Sequence, residues 1–211
     1  MKTLVQCDFD GTITREDVSF LLLDAFTNSN WRKLLEDYRE GKISVNRFNT
    51  EAFATVKADR QILVEFVRSK VRIRAGFDEL LAYCRRKDFK IVIVSNGLDF
   101  YIETVLKGIG VDNIDVFAAQ AQFRPDGIET KYLGPDGNQL EDGFKDAYTR
   151  LFLREGHRLV YVGNGLSDVS AAKLAHHVFA TGELLTLCKG MNLECRSFVD
   201  LNDVVKGLEL L

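Results

Sequence analysis

The sequence predicts an α/β protein, a parallel β-sheet with helices on both faces. Three features carry this expectation. Short runs rich in β-branched residues recur, turn residues follow each run, and stretches with apolar positions at helical spacing separate the runs.

The first run covers residues 4–7 and ends at Asp8. The second, at 90–94, reads Lys-Ile-Val-Ile-Val and is continuously apolar, as a strand covered on both faces should be. Residues 158–162 and 177–180 form the third and fourth. Helices are expected at 77–87, 100–107, 145–155 and 168–175. Residues 17–74 contain no convincing strand: a helix begins at 20–23, another covers 31–38, and 45–70 has apolar positions at helical spacing. The expected organisation is therefore a core of residues 1–14 and 75–211 with a small all-helical domain, 15–74, inserted after the first strand. Residues 120–140 hold both prolines, in Pro125-Asp126-Gly127 and Pro135-Asp136-Gly137, so the segment 128–132 between these turns suits a small antiparallel flap.

Composition excludes several classes. With 46% apolar and 28% charged residues over 211 positions, the chain has the balance of an ordinary globular protein. Its net charge of −3, without runs of one sign or a basic stripe, speaks against nucleic acid as a partner. Asp8 follows too soon after Met1 to leave room for a signal peptide, and no run approaches the roughly 18 apolar residues of a membrane span, so a cytoplasmic address is expected. Cys7, Cys84, Cys188 and Cys195 are scattered and read as reduced, half-buried thiols, although Cys188 and Cys195 stand near enough to pair or share a metal. His157, His176 and His177 lie away from the motifs described next and read as surface or strand-edge residues.

In an open α/β sheet, reacting groups collect at the carboxyl ends of the strands. Asp8-Phe9-Asp10-Gly11-Thr12 follows the first strand and Ser95-Asn96-Gly97 the second. Gly143-Phe144-Lys145 opens the helix before the third strand, and Gly163-Asn164-Gly165-Leu166-Ser167-Asp168 follows that strand. Two carboxylates one residue apart offer oxygen ligands to a hard dication such as Mg²⁺. A carboxylate can attack phosphorus once cations screen the phosphoryl oxygens. A second carboxylate can protonate the leaving alcohol and later activate water, a role worth about 10²–10⁴-fold. Lysine, serine and backbone N–H groups complete an electrostatic cradle for the phosphoryl oxygens. Read singly, Asp-x-Asp is common on surfaces, and Ser-Asn-Gly or Gly-x-Gly is usually a turn; order and placement give the set its weight.

On these residues the chain resembles the haloacid-dehalogenase superfamily. Asp8 to Thr12 is similar to its first motif, Ser95 to its second, Lys145 to its third and Gly163 to Asp168 to its fourth, so the resemblance spans essentially the whole chain. It implies a Rossmann-like core with a helical cap after the first motif. It further implies Asp8 as nucleophile and metal ligand, and Asp10 as acid–base with its backbone carbonyl on Mg²⁺. Ser95 and Lys145 become phosphoryl binders, with Thr12, Asn96 and Gly97 as further candidate phosphate contacts. Asp168, grouped with Asn164 at the metal, stands behind it and holds its water or the lysine. An aspartate at position 10 favours a phosphatase over a dehalogenase, which has no alkoxide to protonate. Asn164 departs from the pattern, because the fourth motif usually begins Gly-Asp with that aspartate on the metal. An amide oxygen can still ligate Mg²⁺, but one negative charge is lost and weaker metal binding is expected.

Residues 95–102 and 162–168, Ala171-Ala172-Lys173, Val178-Phe179-Ala180, Leu184-Leu185 and Cys188 look like one subgroup of that superfamily. It contains the methionine-salvage phosphatase acting on 2-hydroxy-3-keto-5-methylthiopentenyl-1-phosphate, and lies close to the phosphoserine and phosphocholine/phosphoethanolamine phosphatases. The resemblance therefore implies Mg²⁺-dependent hydrolysis of a small phosphorylated metabolite through an aspartyl-phosphate on Asp8, of the methionine-salvage type, with the neighbouring specificities as alternatives. Asp17 is the candidate substrate contact from the cap. Glu51 to Thr55, with Arg47 upstream, departs from the amino-acid-binding pair of a phosphoserine phosphatase. Phe20, Phe26, Trp31, Phe48 and Phe53 suit the packing of cap helices, and would also suit a partly apolar substrate. A catalytically silent binding protein on the same fold is the rival reading, with Asn164 its one hint. Oligomeric state stays open between monomer and homodimer.

Overall fold

The computed structural model describes residues 2–211. The chain opens with β1 (Thr3–Cys7), followed by four helices: α1 (Val18–Phe26), α2 (Trp31–Arg39), α3 (Val45–Phe53) and α4 (Arg60–Lys70). Then come α5 (Phe77–Arg86), β2 (Lys90–Leu98), α6 (Asp99–Gly108), β3 (Asp115–Arg124), β4 (Gly127–Lys131) and α7 (Phe144–Arg154). The last part contains β5 (Arg158–Gly163), a single 3₁₀ turn at Leu166–Asp168, α8 (Val169–Leu174), β6 (His177–Ala180), α9 (Gly182–Gly190), β7 (Arg196–Ser197) and α10 (Leu201–Leu208).

The strands form one sheet of order β4-β3-β2-β1-β5-β6-β7. All pairings are parallel except the β3–β4 hairpin. β1 is central, pairing β2 through Val5↔Ile91 and β5 through Val5↔Val160. Its residues after Thr3 are buried without alternation, as are most of β2 and β5, because helices cover both faces. The α/β architecture expected from the sequence is what is found.

Several elements differ from the sequence reading. Three strands join the four expected. β3, Asp-Val-Phe-Ala-Ala-Gln-Ala-Gln-Phe-Arg, carries alanine and glutamine where a buried strand would carry branched side chains, and lies toward the sheet edge with mixed burial. β4 is the second arm of a hairpin closed at Pro125-Asp126, with Arg124 opposite Gly127. The expected flap is therefore a direct continuation of the sheet edge. The second Pro-Asp-Gly turn closes a separate loop in which Leu133 bridges Gln139. The helical stretch 45–70 is two helices, because Thr55 turns its hydroxyl back onto the Ala52 carbonyl (2.6 Å) and Asp59 starts a new N-terminus. α9 and α10, unassigned in the sequence, complete the C-terminal end. Cys7, Cys84 and Cys188 are buried and only Cys195 is half-buried, so three of the four thiols lie deeper than expected; all four are free. His177 meets Arg158 at the edge of β6 (2.6 Å), and His176 Nδ1 accepts the Leu159 N–H (3.0 Å).

The two ends of the four-helix segment leave the core side by side. Thr14 bridges Ile73, the Arg15 N–H donates to the Arg72 carbonyl (2.9 Å), and the Arg74 N–H donates to Ile13 (2.8 Å). The Arg74 guanidinium clamps this crossing by donating to Thr12 O (2.8 Å), Gly11 O (2.6 Å) and Val199 O (2.8 Å).

Candidate active site

Because β1 lies between β2 and β5, the residue that follows it faces the carboxyl ends of both neighbours. Asp8 occupies that position, its N–H donating to Val162 O (2.9 Å). The chain then coils tightly, with the N–H groups of Thr12, Ile13 and Thr14 all donating to Phe9 O (3.2, 2.9 and 3.1 Å). Gly11 makes this coil possible: its φ of 71° lies in the left-handed region, and the Asn164 amide packs directly over its Cα. The coil presents Asp8 and Asp10 on the same side.

Lys145 reaches Asp8 from the first turn of α7, which starts after a left-handed Gly143. Its Nζ lies 2.7 Å from Asp8 Oδ1, 2.6 Å from Asp168 Oδ1 and 3.3 Å from Ser167 Oγ, in a pocket that leaves the side chain about 2% exposed. Burial alone would lower the lysine pKa, but the charges of Asp168 and Asp8 outweigh it and hold Lys145 above its ordinary value. Asp168 is saturated: Oδ1 also accepts the Tyr161 hydroxyl (2.6 Å), and Oδ2 accepts the N–H groups of Asn164 (2.8 Å) and Gly165 (2.9 Å). It is thus the counter-ion of Lys145 and the anchor of the 163–165 turn, with no lone-pair direction aimed at the cavity.

Three carboxylates on the cavity wall, Asp8, Asp10 and Asp17, are harder to ionise than usual. Burial, then the Asp168 charge, raises Asp8 to about 7 against the pull of Lys145. Burial and the charge of Asp17 raise Asp10 well above the carboxylate range. Asp17 is raised to about 6, mainly by burial, although it also caps α1 by accepting the Phe20 N–H (2.9 Å). Asp10 is held at both oxygens, Oδ1 by the Val18 N–H (3.0 Å) and Oδ2 by the Tyr101 hydroxyl (2.5 Å).

Asn164 meets three oxygens at once. Turned so that its NH₂ faces acceptors, its nitrogen lies 3.0 Å from Asp8 Oδ2, 2.9 Å from Asp10 O and 2.9 Å from Thr12 Oγ1, and its two N–H bonds serve two of these oxygens at a time. A carboxylate oxygen, a backbone carbonyl and an amide side chain therefore converge on one point. Rotating the amide would turn its oxygen to the same point, giving the hard oxygen set that suits Mg²⁺. No cluster of three His, Cys, Asp or Glu side chains in metal-binding array occurs among the described residues, so a cation here depends on the carbonyl and amide as well as on Asp8.

The remaining expected residues divide. Ser95 and Gly97 lie on the cavity wall with Asp8, Asp10, Asp17 and Lys145. The Gly97 N–H donates to Ser95 Oγ (3.0 Å). Asn96 also borders the cavity, but its side chain donates to Asn46 Oδ1 (2.9 Å), and its carbonyl accepts Asn49 (2.9 Å) and the Tyr132 hydroxyl (2.6 Å). Thr12 is fully buried off the cavity wall, because its hydroxyl is taken up by Asn164. The cavity has a volume of about 290 Å³, and helices α1–α3 line it with Phe20, Leu35, Tyr38, Arg39, Val45 and Phe48. Phe20 both packs on Trp31, with ring centroids 5.0 Å apart, and faces the cavity, so the two readings of the aromatic residues are compatible. Tyr101, Tyr161, Asn49 and Arg39 were not legible as site residues, since none belongs to a local motif. No helix among the described residues is long and apolar enough to cross a membrane.

The family model of the haloacid dehalogenase-like hydrolases matches residues 5–173. The chain is 30% identical over 207 residues to a 2-hydroxy-3-keto-5-methylthiopentenyl-1-phosphate phosphatase of Bacillus pumilus, covering 95% of this chain and 89% of that protein. It is 28% identical to the phosphatase of the same name from an Exiguobacterium, over the full length of both. Among solved structures, a substrate-bound phosphoserine phosphatase superposes with a TM-score of 0.72 at 19% identity, covering 98% of each chain. Phosphoserine phosphatase from T. onnurineus gives 0.72 at 18% identity, covering 100% of this chain and 96% of that one. At such identities these structures speak for the fold, while the family match spans all four clusters of site residues, and the chain belongs to the haloacid dehalogenase-like hydrolases.

Proposed function

We propose that the protein is a Mg²⁺-dependent phosphatase that hydrolyses a small phosphate monoester through an aspartyl-phosphate on Asp8. The observation that carries this reading is Asp8 on the wall of the cavity, held 2.7 Å from buried Lys145, with Asp10 on the same coil. Asp8 Oδ2, Asp10 O and the Asn164 amide would hold the ion, which when bound supplies positive charge against the phosphoryl oxygens. Lys145 and the hydroxyl and N–H groups at 95–97 supply the rest. Asp8 attacks phosphorus: a P–O bond to Asp8 forms as the bond to the leaving oxygen breaks, and Asp10 gives its proton to that oxygen. In the second half a water attacks phosphorus and passes its proton to Asp10, and the bond to Asp8 breaks. The raised pKa of Asp10 suits a group that must start protonated and end ionised. Helices α1–α4, residues 15–74, act as a cap that keeps bulk water from the intermediate.

The substrate is best matched to the methylthiopentenyl phosphate named for the relatives. The cap wall of Phe20, Leu35, Val45 and Phe48 suits an apolar chain end, and about 290 Å³ suits a small metabolite. Phosphoserine is the second reading, favoured by Asp17 as a partner for an ammonium group. Against it, Glu51 pairs with Arg47 at the surface (2.6 Å), away from the cavity.

The test is phosphate release from a panel containing 2-hydroxy-3-keto-5-methylthiopentenyl-1-phosphate, phosphoserine and phosphocholine, with Mg²⁺, for wild type and Asp8→Asn. Release by the wild type that disappears in Asp8→Asn is expected, with the methylthiopentenyl compound turned over fastest. Undiminished release by Asp8→Asn would exclude the aspartyl route.

A further inference from the structure

Asp10 is tied to more of the molecule than its neighbours in the sequence. Tyr101, fully buried at the start of α6, donates its hydroxyl proton to Asp10 Oδ2 at 2.5 Å. The same phenol oxygen lies 2.8 Å from Ser19 Oγ. A phenol has one proton, and the carboxylate is the stronger acceptor, so the Ser19 hydroxyl donates to Tyr101. The other oxygen of Asp10 accepts the Val18 N–H. Both carboxylate oxygens are therefore fixed, one by α1 directly and one by Tyr101 with α1 behind it. The terminal torsion of an unrestrained aspartate is broad, so these two bonds are what give the carboxyl plane a single orientation.

Gly97 shows that the fold makes room for this contact. A Cβ at Gly97 would overlap both the Tyr101 hydroxyl and Asp10 Oδ2. Its φ is outside the left-handed region, so conformation does not explain a glycine here; space does. The Tyr101 ring is held in turn by Phe9 (centroids 6.3 Å) and Phe100 (5.5 Å).

We propose that Tyr101 is a positioning residue for Asp10, and that through it the enzyme gains its ability to expel poor leaving groups. The inference rests on the acid–base role proposed for Asp10. An alkoxide must receive a proton as its bond to phosphorus breaks, whereas a nitrophenolate leaves without one. Misaligning Asp10 thus slows formation of the aspartyl-phosphate from alkyl phosphates and spares its formation from activated aryl phosphates, while hydrolysis of the intermediate is common to both. Loss of the fold or of phosphate binding would penalise both alike.

The experiment compares benzyl phosphate, with an alkoxide leaving group, and p-nitrophenyl phosphate for wild type, Tyr101→Phe, Asp10→Asn and the double variant, with Asp8→Asn as control. For Tyr101→Phe, kcat/KM on benzyl phosphate should fall roughly 10–100-fold, part of the whole acid–base contribution. On p-nitrophenyl phosphate kcat/KM should stay within about threefold, because this ratio reports formation of the aspartyl-phosphate and leaves out its hydrolysis, the step both compounds share. In the Asp10→Asn background, adding Tyr101→Phe should bring no further loss, because Tyr101 acts only through that carboxyl. An equal loss of kcat/KM on both compounds, additive losses in the double variant, or undiminished kcat/KM on benzyl phosphate in Tyr101→Phe would each overturn the proposal alone. Wild type inactive on both compounds, or an active Asp8→Asn, would overturn it together with the phosphatase reading.

Discussion

Asn164 places a hydrogen-bond donor where three oxygens converge. Its NH₂ lies within hydrogen-bond distance of Asp8 Oδ2, Asp10 O and Thr12 Oγ1 and gives its two N–H bonds to this group without any cation. A carboxylate in its place would face Asp8 Oδ2 and Asp10 O as one more acceptor, 3.0 and 2.9 Å away, and the repulsion would wait for a metal to relieve it. Asn164→Asp is therefore expected to lower the stability of the chelated protein by about 1–3 kcal/mol. Its melting temperature should rise more on adding Mg²⁺ than that of the wild type. Thermal unfolding with chelator and with Mg²⁺ reads both effects, and a variant that melts like the wild type in both buffers would remove Asn164 from the ion's surroundings. At this scale the sequence exposes residues that belong to short motifs at strand ends or a helix start: Asp8, Asp10, Ser95, Lys145 and Asn164 all line one cavity. It does not expose Tyr101, which meets Asp10 from 91 positions away. Nor does it show that Thr12 and Asp168 would turn from the cavity, since that depends on which neighbour reaches each oxygen first.

Among the elements, α3 is the one stitched to the catalytic edge of the sheet. Asn49 donates to Asn96 O (2.9 Å) and lies 2.9 Å from the Tyr132 hydroxyl, while Asn46 joins Asn96 to the Leu140 carbonyl (2.9 and 3.0 Å). Thr50 and Thr130 add a contact to β4 at 2.7 Å. Buried amides without partners are costly, so this network holds the helix over residues 95–97 at the end of β2. Asn49→Ala should destabilise by about 1–3 kcal/mol. Hydrogen exchange should accelerate in α3 and at residues 95–97 at the end of β2, leaving β1 and β5 protected. Uniform acceleration across the sheet would mean that α3 has no separate opening. The same contrast explains which elements were readable. β1, β2 and β5 are covered on both faces and so carry apolar runs without alternation, Ile91 to Val94 and Leu159 to Val162 unbroken and β1 interrupted only by Gln6, a signal that survives without tertiary context. β3 borrows its stability from pairing with β2 and β4, and its alanines and glutamines carry no such signal.

Over the whole molecule, the cavity concentrates carboxylates that the fold would hold more easily as acids. Asp8 at about 7, Asp17 at about 6 and Asp10, also raised, stand above the ordinary aspartate value of 3.8. A carboxyl whose pKa is raised by folding favours the folded state while protonated, so its contribution is full below the ordinary value and is lost as pH rises through the folded one. The exposed acids lowered by ion pairs, such as Glu40 and Glu129, finish titrating below that window. His177, held below its ordinary value by burial and Arg158, opposes the trend only weakly because it is partly exposed. Between pH 5 and pH 8 the chelated protein should thus lose on the order of 2–4 kcal/mol, seen as a fall in melting temperature of roughly 5–10 °C. Mg²⁺ competes with protons for the ionised oxygens, so its stabilising effect should be larger at pH 8 than at pH 5. Melting curves at the two pH values, with chelator and with Mg²⁺, decide the matter. A chelated protein that melts higher at pH 8, or a Mg²⁺ effect independent of pH, would show that the strain of these buried charges lies elsewhere than in the cavity.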